Sequence, residues 1–139
     1  MPEQEVEDKR KPTLKLLVVD DSAMVRERLA TLLSQIPAVE VVGHATDGYE
    51  AVSLDRELKP DVIVMDIKMP RKNGIQALQE IKKERLLVQI IILTNFADTQ
   101  YQKICMDLGA DHFFDKSNDL EKLQQVLKEA VWARLGDKA

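Results

Sequence analysis

Short apolar runs alternate with longer segments of helical period along most of this chain. The runs are nearly continuous in apolar residues and rich in β-branched side chains, a pattern typical of parallel strands that are buried on both faces. They span residues 14–19, 39–44, 62–65, 88–93 and, more weakly, 112–114. After each run, apolar residues recur every three or four positions, which predicts a helix with one buried face. The buried faces carry Leu29 and Leu33, Ala51 and Leu54, Leu78 and Ile81, Cys105 and Leu108, and Leu123 and Leu127.

Residues with capping or turn chemistry separate these segments. Asp47 with Glu50, and Asn118 with Glu121, have the spacing of a capping box at the start of a helix, and glycines at 109 and 136 follow helical segments. Five βα units in one short chain predict a parallel sheet with right-handed crossovers and helices on both faces. The predicted fold class is therefore α/β, a doubly wound five-stranded parallel sheet.

Length and composition narrow the class of protein further. The chain has 139 residues, of which 45% are hydrophobic and 32% charged, and this fits one globular domain and argues against a two-domain enzyme. Residues 1–12 are mostly charged and predict a flexible tail. The net charge of −4 argues against a nucleic-acid surface. The single cysteine, the lack of a signal-like run after Met1 and the lack of a membrane-spanning apolar stretch favour a cytoplasmic protein.

Chemically active side chains follow the predicted strands. In doubly wound sheets, ligands bind beyond the carboxyl ends of the strands. The first strand is followed by Asp20 and Asp21, the third by Asp66 and the fifth by Lys116, while Thr94 follows the fourth. Two close carboxylates repel each other by ~4 kcal/mol at an effective dielectric constant of 20, so the arrangement favours a bound cation. Hard oxygen ligands with room for water favour Mg²⁺. Any one of these aspartates alone could simply cap a helix, but the whole set predicts a magnesium site.

These residues closely resemble the response regulator receiver domain of two-component signalling. The shared motifs are the acidic pair Asp20 and Asp21, the run Asp66-Ile-Lys-Met-Pro70 with Gly74, Thr94, and Lys116, in the family's order. The resemblance covers residues 13 to about 135. It implies a flavodoxin-like fold of strand order 2-1-3-4-5 and a receiver domain at 13–135, with residues 136–139 forming the C-terminal end and no output domain.

The resemblance also implies a role for each site residue. Asp66 would accept a phosphoryl group from a histidine kinase or a small acyl phosphate. Mg²⁺ would be held by Asp21, Asp66 and the main-chain carbonyl of Lys68, with Asp20 helping through water. Lys116 would contact the phosphate, Thr94 would be the switch hydroxyl, and Phe113 would be the aromatic residue that changes rotamer on activation.

A protein of this kind signals through other proteins and catalyses only its own phosphorylation and dephosphorylation. The implied partners are a histidine kinase or phosphotransfer protein and a downstream protein target, reached by direct interaction or by phosphorelay. Phosphorylation could also drive homodimerisation. Neither nucleic acid nor membrane is expected as a partner.

Some positions depart from the family's usual pattern. Asn95 follows Thr94 where a small residue is common, and Ser117 follows Lys116 where proline is common. Lys68 lies two positions beyond Asp66, and Phe96 two beyond Thr94. Our hypothesis is that Lys68 and Phe96 shield the aspartyl phosphate and slow its hydrolysis.

Two alternative functions remain open at the level of sequence. One is a Mg²⁺-dependent phosphohydrolase of the haloacid dehalogenase type, which would place an Asp-x-Asp motif after the first strand. Here Asp20 and Asp21 are adjacent, and the isolated aspartate follows the third strand. The other is a receiver-like binding module that does not accept phosphate, although this chain retains every site residue of the family motif.

Overall fold

A five-stranded parallel sheet forms the centre of the molecule, as the sequence predicts. The computed structural model describes residues 12–136, so the predicted charged tail lies outside the described residues except for Pro12. The strands are β1 (Leu14–Val19), β2 (Val39–Ala45), β3 (Val62–Met65), β4 (Gln89–Thr94) and β5 (His112–Asp115), in the spatial order β2-β1-β3-β4-β5. The helices are α1 (Ala23–Ser34), α2 (Gly48–Leu58), α3 (Gly74–Glu84), α4 (Thr99–Asp107) and α5 (Leu120–Leu135).

The central and edge strands differ in burial. All four residues of β3 are buried, β4 is buried except at the partly exposed Gln89, and β1 is buried except at Lys15. The prediction that all five strands are buried on both faces is wrong for β2 and β5. These two strands lie at the sheet edges, where each has only one neighbouring strand, and so their side chains are partly exposed.

The sheet divides the hydrophobic core into two layers. Alternate strand residues such as Leu17, Ile63 and Ile90 pack with α2, α3 and α4 on one face. Their neighbours, such as Leu16 and Val64, pack with α1 and α5 on the other. This two-sided burial explains the nearly continuous apolar runs in the sequence, since both faces of a central strand are covered.

Four helices begin at a residue whose side chain accepts a hydrogen bond from the backbone of the first turn. Ser22, Asp47, Asn73 and Asp98 cap α1, α2, α3 and α4 in this way. The predicted cap at Asp47 is confirmed by its hydrogen bond from the Glu50 backbone N–H at 2.9 Å. These polar caps satisfy N–H groups that would otherwise lack partners at the helix ends.

The second predicted capping box, Asn118 with Glu121, is wrong. Helix α5 begins at Leu120, and its preceding residue Asp119 makes no side-chain cap hydrogen bond. The Asn118 side chain instead donates to the Asp115 carboxylate at 3.2 Å, which keeps it in the β5–α5 loop. A reciprocal capping box does form at α3, between Asn73 and Gln76.

The glycines that follow two helices agree with the sequence analysis. Gly109 and Gly136 come after α4 and α5 and have positive φ, which glycine adopts more readily than other residues.

No helix within residues 12–136 combines the length and the apolar character that a membrane span requires.

The sole cysteine offers a test of how firmly α4 packs. Cys105 is fully buried, and burial raises the pKa of its thiol to about 11. Because the thiolate is the reactive form, we expect a disulfide reagent at pH 8 to label the folded protein far more slowly than the urea-unfolded protein. The measurement is the rate of colour release from the reagent.

A matched control places a thiol on the exposed face of the same helix. Lys103 is exposed, so K103C in a C105S background should be labelled quickly in the folded state. Equally fast labelling of Cys105 before and after unfolding would show that α4 opens readily and would contradict this description of its packing.

Candidate functional site

The carboxyl ends of the central strands bring three aspartates together. Asp20 and Asp21 follow β1, Asp66 follows β3, and one carboxylate oxygen from each lies within 4.8 Å of the others. Asp20 and Asp66 are buried, with 2% and 6% of their surfaces exposed, whereas Asp21 is exposed. Three carboxylate oxygens at this spacing, one of them open to solvent, fit a hard divalent cation that keeps part of its water shell.

Lys116 joins two of these aspartates. Its Nζ lies 2.8 Å from Oδ2 of Asp66 and 2.5 Å from Oδ2 of Asp20. Burial alone would lower the pKa of Lys116, but the hydrogen bonds to Asp20 and Asp66 outweigh it and raise that pKa above its ordinary value. The ammonium group therefore stays charged at neutral pH and offsets part of the carboxylate repulsion.

The loop after β1 orients Asp20 through several hydrogen bonds. Its Oδ1 accepts from the Ser22 N–H at 2.9 Å, and its backbone N–H donates to the Ala45 carbonyl at 3.0 Å. The Arg26 guanidinium, from the first turn of α1, donates to the Asp20 carbonyl at 2.7 Å. These bonds fix both the main chain and the side chain of Asp20.

Asp66 is held by a close approach of two backbone segments. Its N–H donates to the Val19 carbonyl at 3.0 Å, and Gly74 N–H donates to the Ile67 carbonyl at 2.7 Å. A Cβ atom on Gly74 would lie 2.0 Å from the carbonyl oxygen of Asp66. Only glycine fits here, so Gly74 has a definite steric role beside the predicted phosphoacceptor.

Thr94 and the residues after it form the next part of the site. Thr94 is fully buried, and its Oγ1 accepts a hydrogen bond from the Phe96 N–H at 3.1 Å. The Lys68 ammonium lies 4.1 Å from the centre of the Phe96 ring. This contact joins the loop after β3 to the loop after β4. Asn95 is exposed.

The predicted site residues are therefore connected in different ways. The Lys116 side chain contacts the side chains of both Asp20 and Asp66 directly. Thr94 is tied to Lys116 through the main chain, where its carbonyl accepts from the Lys116 N–H at 3.0 Å. Phe113 is partly buried and packs against the core on the α2–α4 side of the sheet. The Lys116–Ser117 peptide bond is trans.

Comparison with known proteins shows the family to which this chain belongs. A family model for the response regulator receiver domain matches residues 16–128. The protein-glutamate methylesterase/protein-glutamine glutaminase of Alkalilimnicola ehrlichii is 36% identical over 126 residues, covering 86% of this chain and 32% of that protein. The chain belongs to the response regulator receiver family. Phosphorylation on aspartate and Mg²⁺ binding are typical of that family.

Other relatives extend the comparison of this receiver domain. Response regulator GacA of Pseudomonas aeruginosa is 33% identical over 116 residues, which cover 84% of this chain and 54% of that protein. The chain thus spans from about a third to about half the length of these two curated relatives.

Solved structures confirm the flavodoxin-like receiver fold. The response regulator domain of Thermotoga maritima CheB has a TM-score of 0.77 and 35% identity, covering 87% of this chain and 95% of that one. The CheX-CheY-BeF3-Mg complex from Borrelia burgdorferi matches with a TM-score of 0.76 and 26% identity, covering 89% of this chain and 92% of that one. The strand order 2-1-3-4-5 of this receiver domain agrees with the prediction.

The sequence analysis missed two arginines that hold the loops of the receiver site. Arg26 bonds the Asp20 carbonyl, and Arg71 forms an ion pair with the buried Asp47. Both contacts join residues on different segments, and an arginine on a polar helix face or in a loop gives no sign in the sequence of which oxygen it reaches. The only sequence signal for either contact was at Asp47, which the sequence predicts as a helix cap.

Gly74→Ala tests the close packing beside Asp66. Because the added methyl group would meet a main-chain oxygen that cannot rotate away, we expect a loss of about 1–3 kcal/mol or more in the free energy of unfolding. Gly43→Ala is the matched control, since its Cβ would meet the movable Leu58 side chain at 2.8 Å. Urea unfolding measures both, and an equal loss in the two variants would contradict the steric role of Gly74.

Proposed function

We propose that this receiver domain accepts a phosphoryl group on Asp66 in a Mg²⁺-dependent reaction, and that it signals through protein interaction or phosphorelay. The observation that carries the proposal is the position of Lys116, which bonds the carboxylates of Asp66 and Asp20 within a cluster of three aspartates. The proposed domain bounds are residues 13–135. The proposed donors are a histidine kinase, a phosphotransfer protein or a small acyl phosphate.

The chemistry needs an attacking carboxylate and neutralised phosphoryl oxygens. An oxygen of Asp66 forms a bond to phosphorus while the P–N bond of a phosphohistidine or the P–O bond of an acyl phosphate breaks, and the leaving group takes the bonding electrons. Asp20, Asp21, Asp66 and the Lys68 carbonyl would hold Mg²⁺, which supplies neutralisation of charge on the transferring oxygens. Lys116 stabilises negative charge at the same place.

Phosphorylation would change the hydrogen bonds of the neighbouring strand. The Thr94 hydroxyl accepts from the Phe96 N–H, so its own proton can be donated to a phosphoryl oxygen. Movement of Thr94 toward the phosphoryl group would leave space that Phe113 could fill by changing rotamer. A change at Asp66 would in this way alter the face formed by α4, β5 and α5, where a target protein or a second copy could bind.

The site assignment is tested by labelling with acetyl phosphate and Mg²⁺. We expect the wild type to gain one phosphoryl group, seen as an 80 Da mass increase and as retardation on a phosphate-affinity gel, as follows from transfer to a single carboxylate. Asp66→Asn should remove the label because an amide oxygen is a far weaker nucleophile. Chelation of Mg²⁺ with EDTA should also prevent labelling of the wild type.

The same experiment separates the alternative functions. Label that persists on Asp66→Asn would contradict the assignment of the phosphoacceptor. A wild type that stays unlabelled would support a binding module that does not accept phosphate. Continuous hydrolysis of a foreign phosphomonoester would support a phosphohydrolase.

The contact between Lys68 and Phe96 supports the shielding hypothesis. A cation–π contact at an exposed position is worth about 0.5–1 kcal/mol, which corresponds to a rate change of roughly 2–5-fold. We expect Lys68→Ala and Phe96→Ala to lose phosphate faster than the wild type by about this factor. Loss of label after removal of acetyl phosphate gives the rate.

Lys122→Ala serves as the control for a lost lysine charge. Lys122 is exposed on α5 and pairs with Asp119. Its removal should leave the rate of phosphate loss unchanged. Unchanged or slower loss in both Lys68→Ala and Phe96→Ala would rule out shielding.

A further inference from the structure

The connection from β3 to α3 consists of Asp66 and the loop of residues 67–73, and this loop rests on the first turn of α2. Gly48 N–H donates to the Lys72 carbonyl at 2.8 Å. A Cβ atom on Gly48 would lie 2.7 Å from that carbonyl oxygen and 2.9 Å from the carbonyl oxygen of Asn73. The loop backbone and the helix backbone are therefore in direct contact, so a shift of one would move the other.

The Asp47 carboxylate, at the start of α2, divides its two oxygens between the helix and the loop. Oδ1 accepts from the Glu50 N–H at 2.9 Å and caps α2. Oδ2 contacts the Arg71 guanidinium and has no other hydrogen-bond partner among residues 12–136. The Asp47 side chain is 0% exposed, so Arg71 supplies the charge partner that a buried carboxylate needs.

Arg71 reaches Asp47 from an unfavourable backbone conformation. Its φ of 65° lies in the left-handed region, which non-glycine residues rarely adopt. Its side chain is 67% exposed, so packing of the arginine stem does not account for this conformation. Surrounding contacts must hold such a residue in place, and the ion pair with Asp47 is one of them.

The same loop carries the Lys68 carbonyl, one of the proposed Mg²⁺ ligands. We propose that Asp47 and Arg71 are positioning residues of the magnesium site, and that their ion pair holds loop 67–73 in the conformation that binds the ion. The inference rests on the proposed function, because it assumes that Mg²⁺ binds at Asp20, Asp21 and Asp66. Neither Asp47 nor Arg71 is itself a proposed ligand.

The charged form of Asp47 is the one that the surroundings stabilise. The hydrogen bond from Glu50 N–H lowers the pKa of Asp47, burial opposes this, and the contact with Arg71 lowers the pKa further. The net direction is downward, so Asp47 is ionised at neutral pH. An ionised Asp47 makes the ion pair with Arg71 available under the conditions in which the site works.

Mg²⁺ binding by the intact chain tests the proposal. Isothermal titration with MgCl₂ should give a dissociation constant about 3–10-fold higher for Arg71→Gln and for Asp47→Asn than for the wild type. This loss is smaller than the roughly 10–100-fold seen when a hydrogen bond to a metal ligand itself is removed, because the ion pair acts on the ligand only through the loop backbone. Asparagine keeps the helix cap and removes the charge. The double variant should be no weaker than either single variant, because both remove the same contact. Arg71→Lys should recover part of the affinity.

Arg134→Gln is the matched control. Arg134 is also a partly exposed arginine that pairs with an aspartate, but this partner, Asp61, precedes β3 at the opposite end of the sheet from the site. The Mg²⁺ affinity of Arg134→Gln should equal that of the wild type. Labelling by acetyl phosphate adds a second readout: the half-saturating Mg²⁺ concentration should rise in Arg71→Gln and Asp47→Asn, while the rate at saturating Mg²⁺ stays close to the wild-type rate.

The outcomes distinguish this inference from the proposed function. If the wild type binds Mg²⁺ and both variants bind it equally well, with only their urea midpoints lowered, the ion pair is structural and the inference fails alone. Effects that add in the double variant would also overturn it. If the wild type takes up no Mg²⁺, the proposed function fails and the inference fails with it.

Discussion

The repulsion between carboxylates at the rim of the sheet is the constraint on which the rest of this structure depends. Two like unit charges about 4 Å apart repel each other by about 4 kcal/mol at an effective dielectric constant of 20. The carboxylates of the buried residues Asp20 and Asp66 approach within 4.8 Å of each other. Lys116 bonds to both and offsets that repulsion. The three residues come from the ends of β1, β3 and β5, so the parallel arrangement of the strands is what makes the contact possible.

The loops around the aspartates are built to keep these charges in place. Glycines at 48 and 74 allow backbone segments to touch, and any side chain at Gly74 would collide with the carbonyl of Asp66. Arginines 26 and 71 then tie the loops that follow β1 and β3 to neighbouring helices. Close packing and directed hydrogen bonds act together here, so each of these loops is held at more than one point.

Much of this organisation could be predicted from sequence because it follows from local patterns. Strand β3 is buried on both faces, so its sequence is a continuous apolar run, and Asp66 directly follows it. Contacts between distant segments were beyond such reasoning. The Lys68–Phe96 contact and the Arg71–Asp47 ion pair depend on where loops meet in space. The failed capping prediction at Asn118 has a different, local origin, since its side chain bonds to Asp115 only three residues earlier.

Burial of Asp66 has a consequence for how a signal could leave the site. A carboxylate carries one negative charge and an aspartyl phosphate about two, so the transfer changes the local charge by only about one unit. In solvent at physiological salt, the field of such a change is screened over a Debye length of about 8 Å, whereas groups buried in the rim feel it with much less screening. A partner protein on the outer surface would therefore sense it chiefly through the rim residues that it displaces. Under the proposed function, the signal is therefore a conformational change, in which the three phosphoryl oxygens displace atoms of the tightly packed rim.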